Sequence, residues 1–258
     1  MKHKVVACIP TQNTAWLQQY TLKHLSKFCH KIIVSDDNSS DNTYDVCSSF
    51  DKVEYFRRPV RDPRDRQGAL QRQELLEKAY QYDPDYFFFL DADEMPSPDI
   101  IKFIDSLDVR ENEKTNCWTF PWVHLWTDAS HYRVDSYISK LGHKHVWDPF
   151  AGGQRKSFLV RNIPGYELKY DILQHRVRPS NGPVNVPLPI KDVENSPVII
   201  HYGKISEYFL SEQNWKDRGE WDKYSRNADP KATLNHHRLS NATDTLKLRE
   251  VKEEWFWE

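Results

Sequence analysis

Tyr86-Phe87-Phe88-Phe89-Leu90-Asp91-Ala92-Asp93-Glu94 is the stretch that decides the fold. Its first five residues are apolar or aromatic without a break, too continuous for a strand with one wet face. They read as a strand buried on both sides, of the kind found inside a parallel sheet. Three acids within four residues follow at once, where a parallel strand meets its ligand-binding edge. A second Asp-x-Asp, Asp83-Pro84-Asp85, precedes the strand and reads as a turn. Position, rather than pattern, separates the two.

Working outward, residues 1–110 alternate strand and helix signals. Val5–Ile9, Lys31–Val34 and Val53–Phe56 read as further strands. Trp16–Phe28, Asp41–Ser49 and Gln67–Tyr80 read as helices, with Thr14 a candidate N-cap for the first. Ser97-Pro98-Asp99 is a helix start, pairing a capping hydroxyl with Pro at the first helical position. Right-handed crossovers then predict a strand order 3-2-1-4, with the winding reversal between strands 1 and 4. Pro10-Thr11-Gln12-Asn13, Asp36-Asp37-Asn38 and Asp91–Glu94 all leave strands at that edge. Residues 111–258 have a different texture, with short extended pieces, a Pro-rich run from Pro179 to Pro197, a strand at Val198–Ile200, a helix at Ser206–Arg218 and a tail, Thr243–Glu258, that ends in a charged helix. No flexible tract separates the halves, so the expectation is one domain with a change of role near residue 110.

Composition narrows the classes. The chain has 258 residues, 36 Lys and Arg against 38 Asp and Glu, and a formal charge of −2. That balance excludes a polybasic binder. Aromatic residues at 13%, including nine Trp, argue against disorder. No run approaches the roughly 18 apolar residues of a membrane helix. The four cysteines lack metal-ligand spacing, and Met1-Lys2-His3-Lys4 runs into a strand without a signal peptide's apolar core. The expectation is a reduced, cytoplasmic protein, with peripheral membrane contact through Trp255 and Trp257 as one option.

The acids carry the chemistry. Asp91 and Asp93 at one sheet edge repel each other unless a cation or donor compensates. A divalent cation holding a diphosphate is the economical explanation. In Ser35-Asp36-Asp37-Asn38-Ser39-Ser40-Asp41-Asn42-Thr43, Ser39 to Thr43 suit an Asx-rich turn and a helix cap. Two acids directly after the strand exceed that need, and Asp37, less so Asp36, is a candidate to accept hydrogen bonds from a nucleobase or ribose.

These segments together resemble the GT-A glycosyltransferases, in particular the family 2-like enzymes. The resemblance runs through Ile9–Asn13, Ile32–Thr43 and Phe89–Glu94. A later Val198-Ile199-Ile200-His201-Tyr202, followed by Ser206-Glu207-Tyr208-Phe209, is similar to the branch that combines D-x-D-E with an H-Y segment. The resemblance implies a mostly parallel α/β sheet flanked by helices, with a nucleotide-sugar half (1–110) and an acceptor half (111–258). It implies that Pro10, Thr11 and Asn13 line the nucleotide pocket with Ala92, that Asp37 binds the base, and that Asp91 meets the ribose or the metal. Asp93 becomes the main ligand of Mn2+ or Mg2+, and Arg72 the arginine placed before the fourth strand. Gln12 departs from the aromatic residue of many members, and no clear Glu-Asp pair marks a catalytic base.

Inverting transfer from a nucleoside-diphosphate sugar needs a carboxylate to take the acceptor's proton. Asp171, Asp148 and Glu167 are the candidates in the second half. His201 is a candidate metal ligand and His175 a weaker one. The basic run Arg57–Arg66, including Arg66, is either a solvated loop or an arm over the donor phosphates, with Gln154-Arg155-Lys156 a second such group. One of Trp118, Trp122 and Trp126 is expected to touch substrate, although most Trp residues fill cores. The acceptor is expected to be a saccharide. A modified DNA base is the rival acceptor, disfavoured by the charge. Nucleotidyl transfer lacks its Gly-rich loop, since no Gly precedes Gly68. A non-catalytic nucleotide-sugar binder is the remaining alternative.

Overall fold

The computed structural model describes residues 1–59, 68–107, 116–138, 144–153, 155–163, 168–171, 176–179, 190–205 and 246–258. The chain begins β1 (Val5–Thr11), α1 (Ala15–Leu25), β2 (Lys31–Asp36), α2 (Thr43–Ser48), β3 (Val53–Arg57), α3 (Gly68–Tyr80), β4 (Tyr86–Phe89), β5 (Glu94–Pro96) and α4 (Ile100–Ser106). β1 pairs in parallel with β2 and with β4, and β2 with β3, which gives the expected order 3-2-1-4. Alternation of side chains explains why these strands read as continuous apolar runs. Val5, Ala7 and Ile9 face one cluster with Tyr86, Phe88, Leu90 and helices α1 and α4. Val6, Cys8, Phe87 and Phe89 face the other, under Leu75, Leu76 and Ala79 of α3. Both faces are covered, so one polar substitution within β4 leaves an unsatisfied group in the core.

The second half extends the sheet and turns it partly antiparallel. It comprises β6 (Cys117–His124), β7 (His131–Arg133), β8 (Ser136–Ile138), β9 (Lys144–Val146), β10 (Arg155–Arg161), β11 (Leu168–Asp171), β12 (Arg176–Pro179), β13 (Ile190–Asp192), β14 (Ile199–His201) and β15 (Leu248–Glu250). The large sheet has the order β3-β2-β1-β4-β10-β6-β14-β5, with β13 also on β6. β10 runs antiparallel between β4 and β6. β14 joins β6 in parallel and β5 in antiparallel, so that His124, His201 and Glu94 fall opposite one another across three strands. Among the described residues, no helix is long and apolar enough to cross a membrane.

Two helix starts differ in detail from the sequence reading. The Thr14 side chain makes no cap bond; Asp41 Oδ2 accepts the Ala15 N–H instead, at 3.1 Å. Ser97 turns its hydroxyl to the Val198 N–H at 3.0 Å, because β14 runs beside it, and Asp99 occupies the cap position of α4. The helix expected over 206–218 lies outside the described residues. The tail departs more strongly. In place of a helix it forms β15, antiparallel to β7, and a 3-10 turn at Glu253–Trp255. Its aromatic residues decide this: Trp255 is buried with Val123, Leu125, Tyr132, Val198 and Ile200. Trp257 donates to the Pro96 carbonyl at 2.7 Å and stacks on His24 with ring centroids 4.8 Å apart.

Burial, reinforced by Lys27 and Lys23, lowers the His24 pKa from 6.5 to about 4. Between these values the unfolded chain binds a proton that the native protein refuses. The stability contributed by neutral His24 is therefore full above pH 6.5 and is lost as pH falls toward 4. His24→Phe retains a ring against Trp257 and removes this titration. Urea unfolding across that pH window is expected to show a shallower loss of stability for the variant than for the parent, and equal slopes would refute the assignment.

Candidate active site

The loops after β1 and β2 are tied together by short polar side chains. Asn13 and Asn38 adopt positive φ, at 53° and 60°, a region Asn tolerates better than most residues. Asn13 donates its N–H to Ser39 Oγ at 2.8 Å, and its side-chain oxygen accepts the Ser40 N–H at 2.7 Å. Thr11 is buried, and its hydroxyl lies 2.5 Å from that of Thr14. Its carbonyl accepts the Asp37 N–H at 2.9 Å. Gln12 reaches across to the Asp37 carbonyl at 2.7 Å. Pro10 is half-buried at the end of β1, beyond the residues that β4 pairs, where its missing N–H is tolerated.

The two acids after β2 take different places. Asp36 is fully buried, and its carboxylate accepts the Ser39 N–H at 3.0 Å, the Ser39 hydroxyl at 2.5 Å and the Tyr55 hydroxyl at 2.5 Å. It shapes the loop from within, which corrects the expectation of a nucleotide contact there. Asp37 is half-buried at the rim, with Arg58 3.7 Å from its carboxylate. Arg58 itself is only 3% exposed and holds Glu74 at 2.9 Å. Within the basic run Arg58 is thus held inside the protein, while its neighbour Arg57 is exposed. Val60–Gln67, with Arg66, lies outside the described residues.

At the end of β4 a cluster of buried charges replaces the apolar run. Asp91 is paired with Arg72 and, at 2.7 Å, with the Lys156 ammonium of β10. The same ammonium lies 3.0 and 2.9 Å from the two oxygens of Glu94, which is fully buried. Glu94 also accepts the Asp91 N–H at 2.6 Å. Burial works against the ionised form of Asp91, but Arg72 and Lys156 outweigh it and hold the carboxyl well below the usual range. At Glu94 burial wins over Lys156, and with Asp91 and Asp93 adding repulsion the pKa is pushed up to about 7. Ala92 is buried, its carbonyl accepting from Gln18 at 3.3 Å.

Asp93 stands apart from this network and meets His201 from β14. The Asp93 Oδ2 to His201 Nε2 distance is 3.1 Å, and the Asp93 carbonyl accepts the Tyr202 N–H at 2.8 Å. Burial opposes ionisation of Asp93, and His201 reverses this to pull its pKa down. Gly203 closes the group: a Cβ there would lie 2.5 Å from Asp93 Oδ2 and 2.9 Å from His201 Nε2. Only glycine leaves that room. A carboxylate oxygen and an imidazole nitrogen this close can occupy neighbouring positions around an ion with bonds of about 2.1 Å, so the pair fits a divalent cation. Among the described residues, no group of three or more His, Cys, Asp and Glu side chains converges as ligands. Asp91, expected beside them, has both oxygens engaged by cations instead. His124, which the sequence reading passed over, lies behind His201 with the two Nδ1 atoms 3.1 Å apart.

Two of the three base candidates fall among the described residues. Asp148 is buried, 3.1 Å from Arg249, and borders a cleft of about 610 Å³ with Asp135, Lys144 and Lys247. Asp171 ends β11, opposite Arg176 of β12. Glu167 and His175 lie outside the described residues. Trp118 and Trp126 are buried in the protein, the latter with the Arg133 guanidinium 4.4 Å from its ring, while Trp122 is half-buried beside His124 and His201.

Comparison with known proteins places the chain. A search of curated proteins gives no match. Among solved structures, the chain is similar to residues 1–349 of TarS from S. aureus, at 12% identity and a TM-score of 0.47, covering 92% of this chain and 72% of that one. It is also similar to glucosyl-3-phosphoglycerate synthase from Mycobacterium tuberculosis in complex with Mg2+ and UDP, at 14% identity and a TM-score of 0.35, covering 47% of this chain and 44% of that one. The present chain thus spans less than half of the mycobacterial enzyme. The model of glycosyl transferase family 2 matches residues 7–158, from β1 through the acids after β4 to Lys156 on β10. The chain belongs to glycosyl transferase family 2 and is a glycosyltransferase.

Proposed function

We propose that this glycosyltransferase moves a sugar from a nucleoside-diphosphate sugar to a hydroxyl of a saccharide acceptor, with dependence on Mn2+ or Mg2+ and with inversion at the anomeric carbon. The Asp93–His201 pair, with room kept beside it by Gly203, is the observation that carries the reading. Residues 1–110 serve as the donor half and 111–258 as the acceptor half of one domain.

In this reading Asp93 and His201 hold the cation, which supplies positive charge to the diphosphate of the departing nucleotide. Arg72 and Lys156 lie at the same strand end and keep Asp91 ionised, which suits it to accept a ribose hydroxyl. Asp37, at the rim, accepts from the nucleobase. Pro10, Thr11 and Asn13 form the wall of the nucleotide pocket beneath it, and the bonds from Asn13 to Ser39 and Ser40 keep the two loops in register. A carboxylate of the second half, with Asp171 placed first and Asp148 and Glu167 as alternatives, takes the acceptor's proton while its oxygen attacks the anomeric carbon.

Calorimetry with a panel of nucleoside diphosphates, with and without Mn2+, tests the donor and metal together. Binding of one nucleotide strengthened by the ion supports the reading, and equal affinity with and without the ion removes the metal from it. Asp93→Asn is expected to lower metal-dependent turnover by about a hundredfold or more, since several kcal/mol of charge stabilisation is lost. Gly203→Ala is expected to weaken Mn2+ binding by roughly tenfold while the chain stays folded. Full metal-dependent turnover in Asp93→Asn would refute the ligand assignment.

Lys156 also has a measurable structural share. Lys156→Met leaves the fully buried Glu94, and one oxygen of the half-buried Asp91, without that cation, at a cost of about 3–5 kcal/mol. Urea unfolding is expected to show that loss, and Lys156→Met combined with Glu94→Gln is expected to recover a large part of it. A loss below about 1 kcal/mol would show that the buried charges do not depend on this lysine.

A further inference from the structure

Behind the Asp93–His201 pair the protein has built a second imidazole into its interior. His124 ends β6, directly across from His201 in the parallel pairing of β6 and β14. Its ring lies 4.4 Å from that of Trp122 and 4.9 Å from that of Trp147, the latter at 86°. His124 is 4% exposed. Its Nδ1 is 3.1 Å from Nδ1 of His201, and among the described residues its Nε2 has no hydrogen-bond partner. A polar ring placed in an aromatic box and satisfied at one nitrogen alone is costly unless that one bond matters.

The bond has a direction that follows from the other end of His201. Two Nδ1 atoms at hydrogen-bond distance share one proton between them, so one ring donates and the other accepts. When Nε2 of His201 donates to the Asp93 carboxylate, its Nδ1 is bare and His124 must donate. When Nε2 presents its lone pair to a cation, the ring proton sits on Nδ1 of His201 and His124 must accept, carrying its own proton on Nε2. The two neutral rings hold two protons in either arrangement, so the change is proton-neutral overall, with water carrying the proton lost from Nε2 of His201 to Nε2 of His124.

We propose that His124 is a positioning residue: its Nδ1 accepts the hydrogen bond from Nδ1–H of His201 and so holds His201 in the tautomer whose Nε2 faces a divalent cation beside Asp93. The inference rests on the reading of Asp93 and His201 as the cation's ligands. A partner of this kind orients a ligating imidazole and raises its basicity, an effect of about 10–100-fold in metal affinity.

The test uses the full chain and Mn2+ alone, with affinity read from the electron paramagnetic resonance of the free ion. His124→Phe retains an aromatic ring in the box and removes the acceptor; the Mn2+ dissociation constant is expected to rise about 10–100-fold. His124→Asn returns an acceptor oxygen near the position of Nδ1 and is expected to restore a large part of the affinity. His201→Ala is the control for the underlying reading. If His201→Ala binds Mn2+ like the parent, that reading falls. If His201→Ala loses the ion while His124→Phe binds it within twofold of the parent, or if Asn fails to improve on Phe, the role of His124 is overturned. Nitrogen-15 spectra of the parent with Mg2+ give a readout independent of the variants. The proton is expected on Nδ1 of His201 and on Nε2 of His124, and a proton found on Nδ1 of His124 would overturn the proposal.

Discussion

One ammonium group permits the arrangement at the end of β4. Lys156 crosses from β10 to reach Asp91 and both oxygens of Glu94, while Arg72 meets Asp91 from α3. Without these cations, acids so close together and so little exposed would repel each other and favour their neutral forms. With them, Asp91 stays ionised, Glu94 is held in the interior, and Asp93 is left to face His201. The distribution of charge among three neighbouring acids thus follows from which cation each can reach.

That division shows how backbone register becomes chemistry. β14 is inserted between β6 and β5, so His124, His201 and Glu94 align across three strands although residues 94 and 201 are far apart in the chain. Trp257, docked on Pro96 and His24, fastens the tail beside the same strand. The C-terminal residues therefore help hold β5, and with it the acids, in place.

Much of the first half was legible from residue order. Continuous apolar runs in β1 and β4 require burial on both faces, and short crossovers leave few orders for such strands. The same logic located Asp37, Asp91 and Asp93 at one edge. It ranked Asp37 ahead of Asp36 but gave no sign that Asp36 is fully buried and bonded to Ser39 and Tyr55, since adjacent acids differ only in which one points into the protein. It left the basic run open between a solvated loop and an arm over the donor phosphates, because the Asp37 and Glu74 carboxylates that meet Arg58 come from other segments. It passed over His124, a lone histidine in an aromatic strand with no local signal of a partner 77 residues away.

By itself the sequence determined the α/β alternation, the 3-2-1-4 order and the acids that end the strands, because hydrophobic period and strand-terminal position are local properties of the chain. Tertiary structure alone decided which acid is neutralised by lysine, which meets histidine, and where the tail docks. Those outcomes depend on side chains meeting across strands distant in sequence, where burial and pairing set the energy of every charge.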